Sequence, residues 1–358
     1  MTAHDRSQNF EREKRAGLHY SDFCGRDAVF MRVPGRRTPK NSRFLAPVEK
    51  VGLAPEVVAN YRCVNHDSED RATHVQFGTT RGGAPALLNR VLAEADVRIV
   101  TGFIEPHFFA GFSGGPKGIM PGVAALETVM SNHGARHIGD PHAAFGITDG
   151  NPIWEEMRNI ALRVGPSFLV NVALNERREI TGIFAGDLIA AHRVGIEFVR
   201  ASAMQKVDAP FDIVLTTNSG HPLDMNLYQA VKGMAAAARI VKDGGAILLA
   251  AECAEGTPDG SPHDRLLRSF GNGEELLAKL AQPGFVRAEQ WQGQIQSLIQ
   301  RRSEVHIFSK LPDETVHAAH LLPCRDISGF LAKKRIENPN ARIAVLPQGP
   351  LTIPYLAK

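Results

Sequence analysis

Between Glu105 and His133 the chain reads EPHFFAGFSGGPKGIMPGVAALETVMSNH, and His107, Lys117 and His133 are the side chains in it best suited to chemistry. A neutral imidazole is the commonest metal ligand and the usual acid or base near pH 7. A lysine desolvated in a glycine-rich pocket serves as a nucleophile or a covalent anchor. Five glycines and three prolines share the stretch, so its first two-thirds are expected to form a long, shaped loop. Glycine clusters also let backbone N–H groups approach an anion closely, a phosphate in particular. Taken singly, each residue has a plainer reading: His107 caps a strand end, Lys117 is a solvated charge, and His133 ends a helix.

The loop is neither of the two common phosphate motifs. A P-loop needs G-x-x-x-x-G-K-[ST], whereas Lys117 stands between Pro116 and Gly118, and no G-x-G-x-x-G occurs at this turn. The second failure argues against a conventional nicotinamide dehydrogenase.

The elements that must position the loop read as α/β. RVLAEADVRIVTGFI is expected to be the end of a helix (roughly Ala84 to Ala95) followed by a buried strand, Val97 to Ile104. The loop then leaves the carboxyl end of a strand, where open α/β folds place their ligands. Pro166 to Asn175 reads as a strand and Asp187 to Ala203 as an amphipathic helix. FDIVLTT, from Phe211, is a nearly all-apolar strand of the kind buried on both faces of a parallel sheet. A helix over Leu227 to Val241 and the strand AILLAAE complete a βαβ unit, and EVHIFSK and ARIAVLP predict further parallel strands. Residues 1–50 are polar, basic and aperiodic, and no helix or strand is predicted there.

With 358 residues, 43% of them hydrophobic and 22% charged, the chain suits two globular domains. We expect a divergent or disrupted N-terminal segment over 1–50, an N-terminal catalytic domain over 51–205 and a C-terminal α/β domain over 206–358. A net charge of +3 with no long basic block is too mild for a nucleic-acid binder. No apolar run reaches the ~18–20 residues that span a bilayer. The N-terminus lacks the apolar core of a secretory signal. Cys24, Cys63, Cys253 and Cys324 form no CxxC pair, so a reducing cytoplasm is expected.

The Glu105–His133 stretch resembles the signature of the nickel-pincer lactate racemase family: a His, then F-x-G-F-S-G-G-x-K, then P-G, then T-x-x-x-N-H. His107, Gly111-Phe112-Ser113-Gly114-Gly115, Lys117, Pro121-Gly122, Thr128 and Asn132-His133 stand in register. In that family the lysine is joined through a thioamide to a pyridinium mononucleotide, whose sulfur–carbon–sulfur pincer holds nickel. One histidine completes the square plane, and another, upstream of the lysine, is an acid/base. The resemblance implies Lys117 as anchor, with Ser113, Gly114 and Gly115 in the cofactor turn. It implies His133 as nickel ligand and His107 as proton shuttle. The implied reaction racemises or epimerises a 2-hydroxy acid through hydride transfer to the cofactor.

A second constellation, Asn218-Ser219-Gly220, Pro222-Leu223-Asp224 and Tyr228-Gln229-Ala230-Val231-Lys232-Gly233, is similar to the family's N-x-G-x-P-x-D-x-N-x-Y-Q-x-x-K-x. Gln229 and Lys232 share a face of the predicted helix. The resemblance implies that they reach across a cleft between two mostly parallel-sheet domains, toward substrate and cofactor. It also implies cofactor-biosynthesis enzymes as partners. Trp291-x-Gly293-Gln294 resembles a family helix that closes the C-terminal domain, which implies a packing role.

The match runs from about Val57 to about Pro354. Two family motifs are not found: Asp-x-Thr-Arg-Pro, which binds substrate carboxylate and cofactor phosphate, and Gly-Thr-His-Arg, which carries the second acid/base. The nearest strings are Asp5-Arg6-Ser7-Gln8 and Gly35-Arg36-Arg37-Thr38-Pro39. The texture of residues 1–50 therefore predicts a truncated or frame-disrupted N-terminus. The departures leave an alternative reading: an impaired or non-catalytic member that binds an anionic ligand.

Overall fold

FDIVLTT, expected as a buried strand of a parallel sheet, forms Phe211–Thr217 and lies inside a five-stranded parallel sheet. The computed structural model describes residues 29–32, 60–257 and 260–357. The chain divides into two compact units, residues 1–67 and 68–358. In the first, Val29–Arg32 pairs in parallel with Arg62–Asn65, so one strand lies where the sequence predicts none. The strings Asp5–Gln8 and Gly35–Pro39 lie outside the described residues.

The unit 68–358 contains two principal sheets. The smaller joins β1 (Ile99–Phe103), β2 (Phe168–Leu174) and β3 (Ile180–Asp187) in that order, β1–β2 parallel and β2–β3 antiparallel. The larger is built from β4 (Phe211–Thr217), β5 (Val241–Ala250), β6 (Glu304–Phe308), β7 (Leu322–Cys324) and β8 (Ile343–Leu346). Its order is β7-β6-β5-β4-β8 and every pairing is parallel. Strands β4 to β7 run outward in sequence and β8 returns to the other side of β4. The carboxyl end of β4 is therefore the switch point at which such sheets hold ligands.

Six helices bear on the site: α1 (Leu126–Asn132), α2 (Ala135–Ile138), α3 (Pro152–Leu162), α4 (Ala190–Ala203), α5 (Leu227–Ala237) and α6 (Gln290–Gln300). Helix α4 starts three residues after the expected Asp187, which ends β3 and whose carboxylate accepts the Ile189 and Ala190 N–H groups, two of the donors a helix start leaves without an internal partner. Helix α5 is capped by Asn226, whose side chain accepts the Gln229 N–H. No helix among the described residues is long and apolar enough to cross a membrane.

Two expectations need correction. The helix expected over Ala84 to Ala95 is helical only at Arg90–Glu94, while Pro85–Asn89 is a strand in an antiparallel hairpin with His74–Thr79. Asn89 ends that strand and caps the helix, its side chain accepting the Val91 N–H. The strand Val97 to Ile104 is half-buried, not buried: β1 alternates, with Val100 at 7% exposure and Ile99 and Phe103 each at 52%. Sheet β1-β2-β3 packs α4 on one face. Ile99, Phe103, Phe168 and Ile183 lie on its exposed face, as the two-residue period of a strand requires.

Candidate functional site

The loop after β1 closes on itself through Ser113. The Ser113 hydroxyl accepts the Glu105 N–H at 2.9 Å and donates to the Phe103 carbonyl at 2.9 Å, while the Ser113 N–H donates to the Glu105 carbonyl at 2.8 Å. Inside this closure, Pro106–His107 pairs with Gly111–Phe112. The turn between them buries Phe108, Phe109 and Ala110. The hydroxyl proton of Ser113 is thus committed to shaping the loop.

Phe109 is the hub of the arrangement. The His107 ring stands edge-on to it with centroids 4.5 Å apart, and the His133 ring meets it at 5.0 Å. Lys117 Nζ lies 5.9 Å from the same centroid, inside the range of a cation–π contact. The three side chains singled out from the sequence therefore converge on one phenyl ring. His107 Nδ1 accepts the Ala110 N–H at 3.2 Å, so the neutral ring carries its proton on Nε2. His133 ends α1 and is 4% exposed.

Helix α1 is fixed from both sides. Thr128 Oγ1 donates to the Pro85 carbonyl and accepts the Leu87 N–H, each at 2.9 Å. Asn132 donates to the Ile153 carbonyl and to the Glu156 carboxylate on α3. These bonds satisfy buried polar groups around His133, which would otherwise destabilise the fold.

Lys117 sits in a single 3-10 turn, Gly115–Gly118, entered through two glycines at positive φ. A β-carbon on Gly114 would lie 2.5 Å from Asn171 Oδ1 and 2.8 Å from the Phe103 carbonyl oxygen. No side chain fits there. The Gly115 N–H donates to Asn171 Oδ1 at 2.8 Å, so this amide serves the turn and is not offered to an anion.

The second constellation follows β4. Asn218 Oδ1 accepts the Gly233 N–H at 2.9 Å and so ties the loop to α5. Gln229 and Lys232 are half-buried on that helix, and the buried Gln229 Oε1 has no hydrogen-bond partner among the described residues. Lys232 acts on the base of the first loop through Glu105. Burial raises the Glu105 carboxyl above the ordinary range, and the positive charges of Lys232 and Arg178 pull it back. Trp291 on α6 supplies the other link. Its ring meets His133 at 5.0 Å, and its Nε1 donates to Tyr228 Oη at 2.9 Å. Gln294 of the same helix donates to the Ala135 carbonyl of α2 at 2.8 Å.

Sequence reasoning missed Phe109 as the hub, Glu105, and His192, whose Nε2 donates to the Ser113 carbonyl. It gave Trp291 packing alone. A glutamate directly before Pro-His at a strand end was the one signal available for Glu105. His192 lies 79 residues from its partner, and local spacing could not reveal it.

Among known families, the description "lactate racemase N-terminal domain" matches residues 47–146 and "lactate racemase C-terminal domain" matches residues 206–353. The lactate racemase of Thermoanaerobacterium thermosaccharolyticum is 36% identical over 305 residues, covering 84% of this chain and 71% of that one. The lactate racemase of Lactiplantibacillus plantarum is 37% identical over 300 residues, covering 82% and 70%. The structure of the Thermoanaerobacterium lactate racemase apoprotein superposes with a TM-score of 0.79 at 35% identity, over 84% of this chain and 72% of that one. A protein from Thermotoga maritima shares the fold at a TM-score of 0.70 and 18% identity, over 92% of this chain and 86% of that one. The chain belongs to the lactate racemase family.

Proposed function

We propose that this protein is a racemase or epimerase of a lactate-like 2-hydroxy acid, working with a nickel-pincer pyridinium mononucleotide anchored at Lys117. The observation that carries the reading is the convergence of an amine and two imidazoles on Phe109. The donor set suits the group: Lys117 on a glycine turn would hold it covalently, and the buried imidazole of His133 is a fitting ligand for planar nickel. When bound, the cofactor supplies a reversible acceptor for the α-hydride.

The protein's own work is placement and proton transfer. In its resting tautomer His107 donates from Nε2 to the substrate oxygen. Taking the hydroxyl proton there requires the other tautomer, which gives up the long bond from the Ala110 N–H. Gln229 and Lys232 are proposed to bind the substrate carboxylate. Ser113, Gly114 and Gly115 shape the anchor turn. We assign residues 51–205 to a catalytic domain and residues 206–358 to a C-terminal domain. A cytoplasmic setting alongside the cofactor-building enzymes fits this chemistry.

The test is production alongside those enzymes, followed by peptide mass spectrometry at Lys117, nickel analysis, and chiral chromatography of D- and L-lactate incubations. Added mass at Lys117 with about one nickel per chain and interconversion of the enantiomers are expected. Stabilisation by 2-hydroxy acids with neither adduct nor nickel would instead identify a binding protein.

A further inference from the structure

His192 is a buried histidine that the reaction outlined above does not use. It lies on α4 at 0% exposure, and its Nε2 is 2.8 Å from the Ser113 carbonyl oxygen. A carbonyl can only accept, so Nε2 carries the ring proton. Nδ1 is buried with no hydrogen-bond partner among the described residues. A β-carbon built on Gly115 would fall 2.4 Å from the ring's Cγ and 2.4 Å from Nδ1. The imidazole therefore occupies the space that a side chain at Gly115 would need. Trp154 of α3 stacks on the ring at 6.4 Å and 17°. Burial, with the nearby Lys117 charge adding to it, holds the ring's pKa down at about 4, so no second cation stands beside the amine at neutral pH.

These contacts bear on Ser113 to Gly115, the segment that enters the turn carrying Lys117. We propose that His192 is the positioning residue of this turn: its Nε2–H and ring edge hold Ser113–Gly115 in the conformation that presents the Lys117 amine beside Phe109. The inference rests on Lys117 being the cofactor anchor.

The experiment compares wild type with His192→Leu, His192→Gln and Gly115→Ala. In protein made without the cofactor-building enzymes, trace acetic anhydride labelling with peptide mass spectrometry gives the Lys117 rate relative to exposed Lys333. In protein made with them, the fraction of Lys117 carrying added mass is measured. His192→Leu and Gly115→Ala should bring the Lys117 rate toward that of Lys333 and lower loading about tenfold, the equivalent of one lost buried hydrogen bond. His192→Gln, whose amide can donate to the same carbonyl, should restore most of both. A purely structural role would lower the melting temperature and leave the labelling ratio unmoved. Wild-type labelling and loading in folded His192→Leu would overturn the proposal. Should that variant not fold, the same result in Gly115→Ala would overturn it. Wild-type protein that takes up no mass at Lys117 would refute the anchor reading, while the labelling ratio would still decide the role of His192.

Discussion

Because Phe109 touches His107, His133 and Lys117 together, each of the three can be removed separately and should fail differently. If Lys117 is the anchor proposed above, Lys117→Ala should abolish the added mass that mass spectrometry is expected to find there. His133→Ala should keep the adduct and lose nickel on dialysis. His107→Ala should keep both and slow turnover by ~10²–10⁴-fold, the scale of a lost acid/base group. Full rate in that variant would remove His107 from the reaction. His192 makes a prediction in pH. Its pKa is about 4 in the fold against an ordinary 6.5, so the unfolded chain binds the extra proton between those values. The stability from keeping this ring neutral is complete above about pH 6.5 and is lost as pH falls toward 4. It amounts to about 3 kcal/mol. Urea unfolding at pH 7 and pH 5 should therefore show a smaller loss on acidification for His192→Gln than for wild type. Equal slopes would mean that the ring is not neutral and buried in solution.

Among the elements, the turn of Gly115–Gly118 depends on β2 as much as on its own glycines. Asn171 is fully buried, and its Oδ1 is the acceptor for the Gly115 N–H. Asn171→Ala leaves that donor without a partner and should cost about 1–3 kcal/mol of unfolding free energy, measured by denaturant titration. No change would show that solvent or another group satisfies the amide. The parts of the site that were legible share one property: their chemistry is local. Glycine and proline density marked the loop, a nearly all-apolar run marked β4, and strand–helix–strand order marked α5. The hairpin containing Pro85–Asn89 was not legible, because PALLNRVLAE carries apolar spacing that suits a helix, and only pairing with His74–Thr79 makes its first half a strand. The exposed face of β1 was hidden by its near-continuous apolar sequence, which reads like a strand buried on both sides. Asn171, His192 and Trp291 act on the site from positions far off in sequence, so the part each plays there is disclosed only by the packing of β2, α4 and α6.

Over the whole molecule, two sheets present the carboxyl ends of β1 and β4 to a common region. The loop after β1 brings the amine and imidazoles; the helix after β4 brings Gln229 and Lys232. The Lys232 charge of the larger sheet's first helix offsets part of the rise that burial imposes on the Glu105 carboxyl at the end of β1. If Lys232 binds the substrate carboxylate, its loss should separate from the losses predicted for the loop. Lys232→Ala should leave the Lys117 adduct and bound nickel intact while lowering kcat/KM for lactate about 10- to 150-fold, the worth of one charged hydrogen bond, mainly through KM. Glu105→Gln removes the negative charge that competes for the same ammonium group, so in the Lys232→Ala background its own effect should shrink. The two substitutions are then non-additive, as expected for charges that are coupled electrostatically. A Lys232→Ala enzyme with unchanged KM, or a double variant whose effects simply sum, would place substrate recognition on the β1 loop alone.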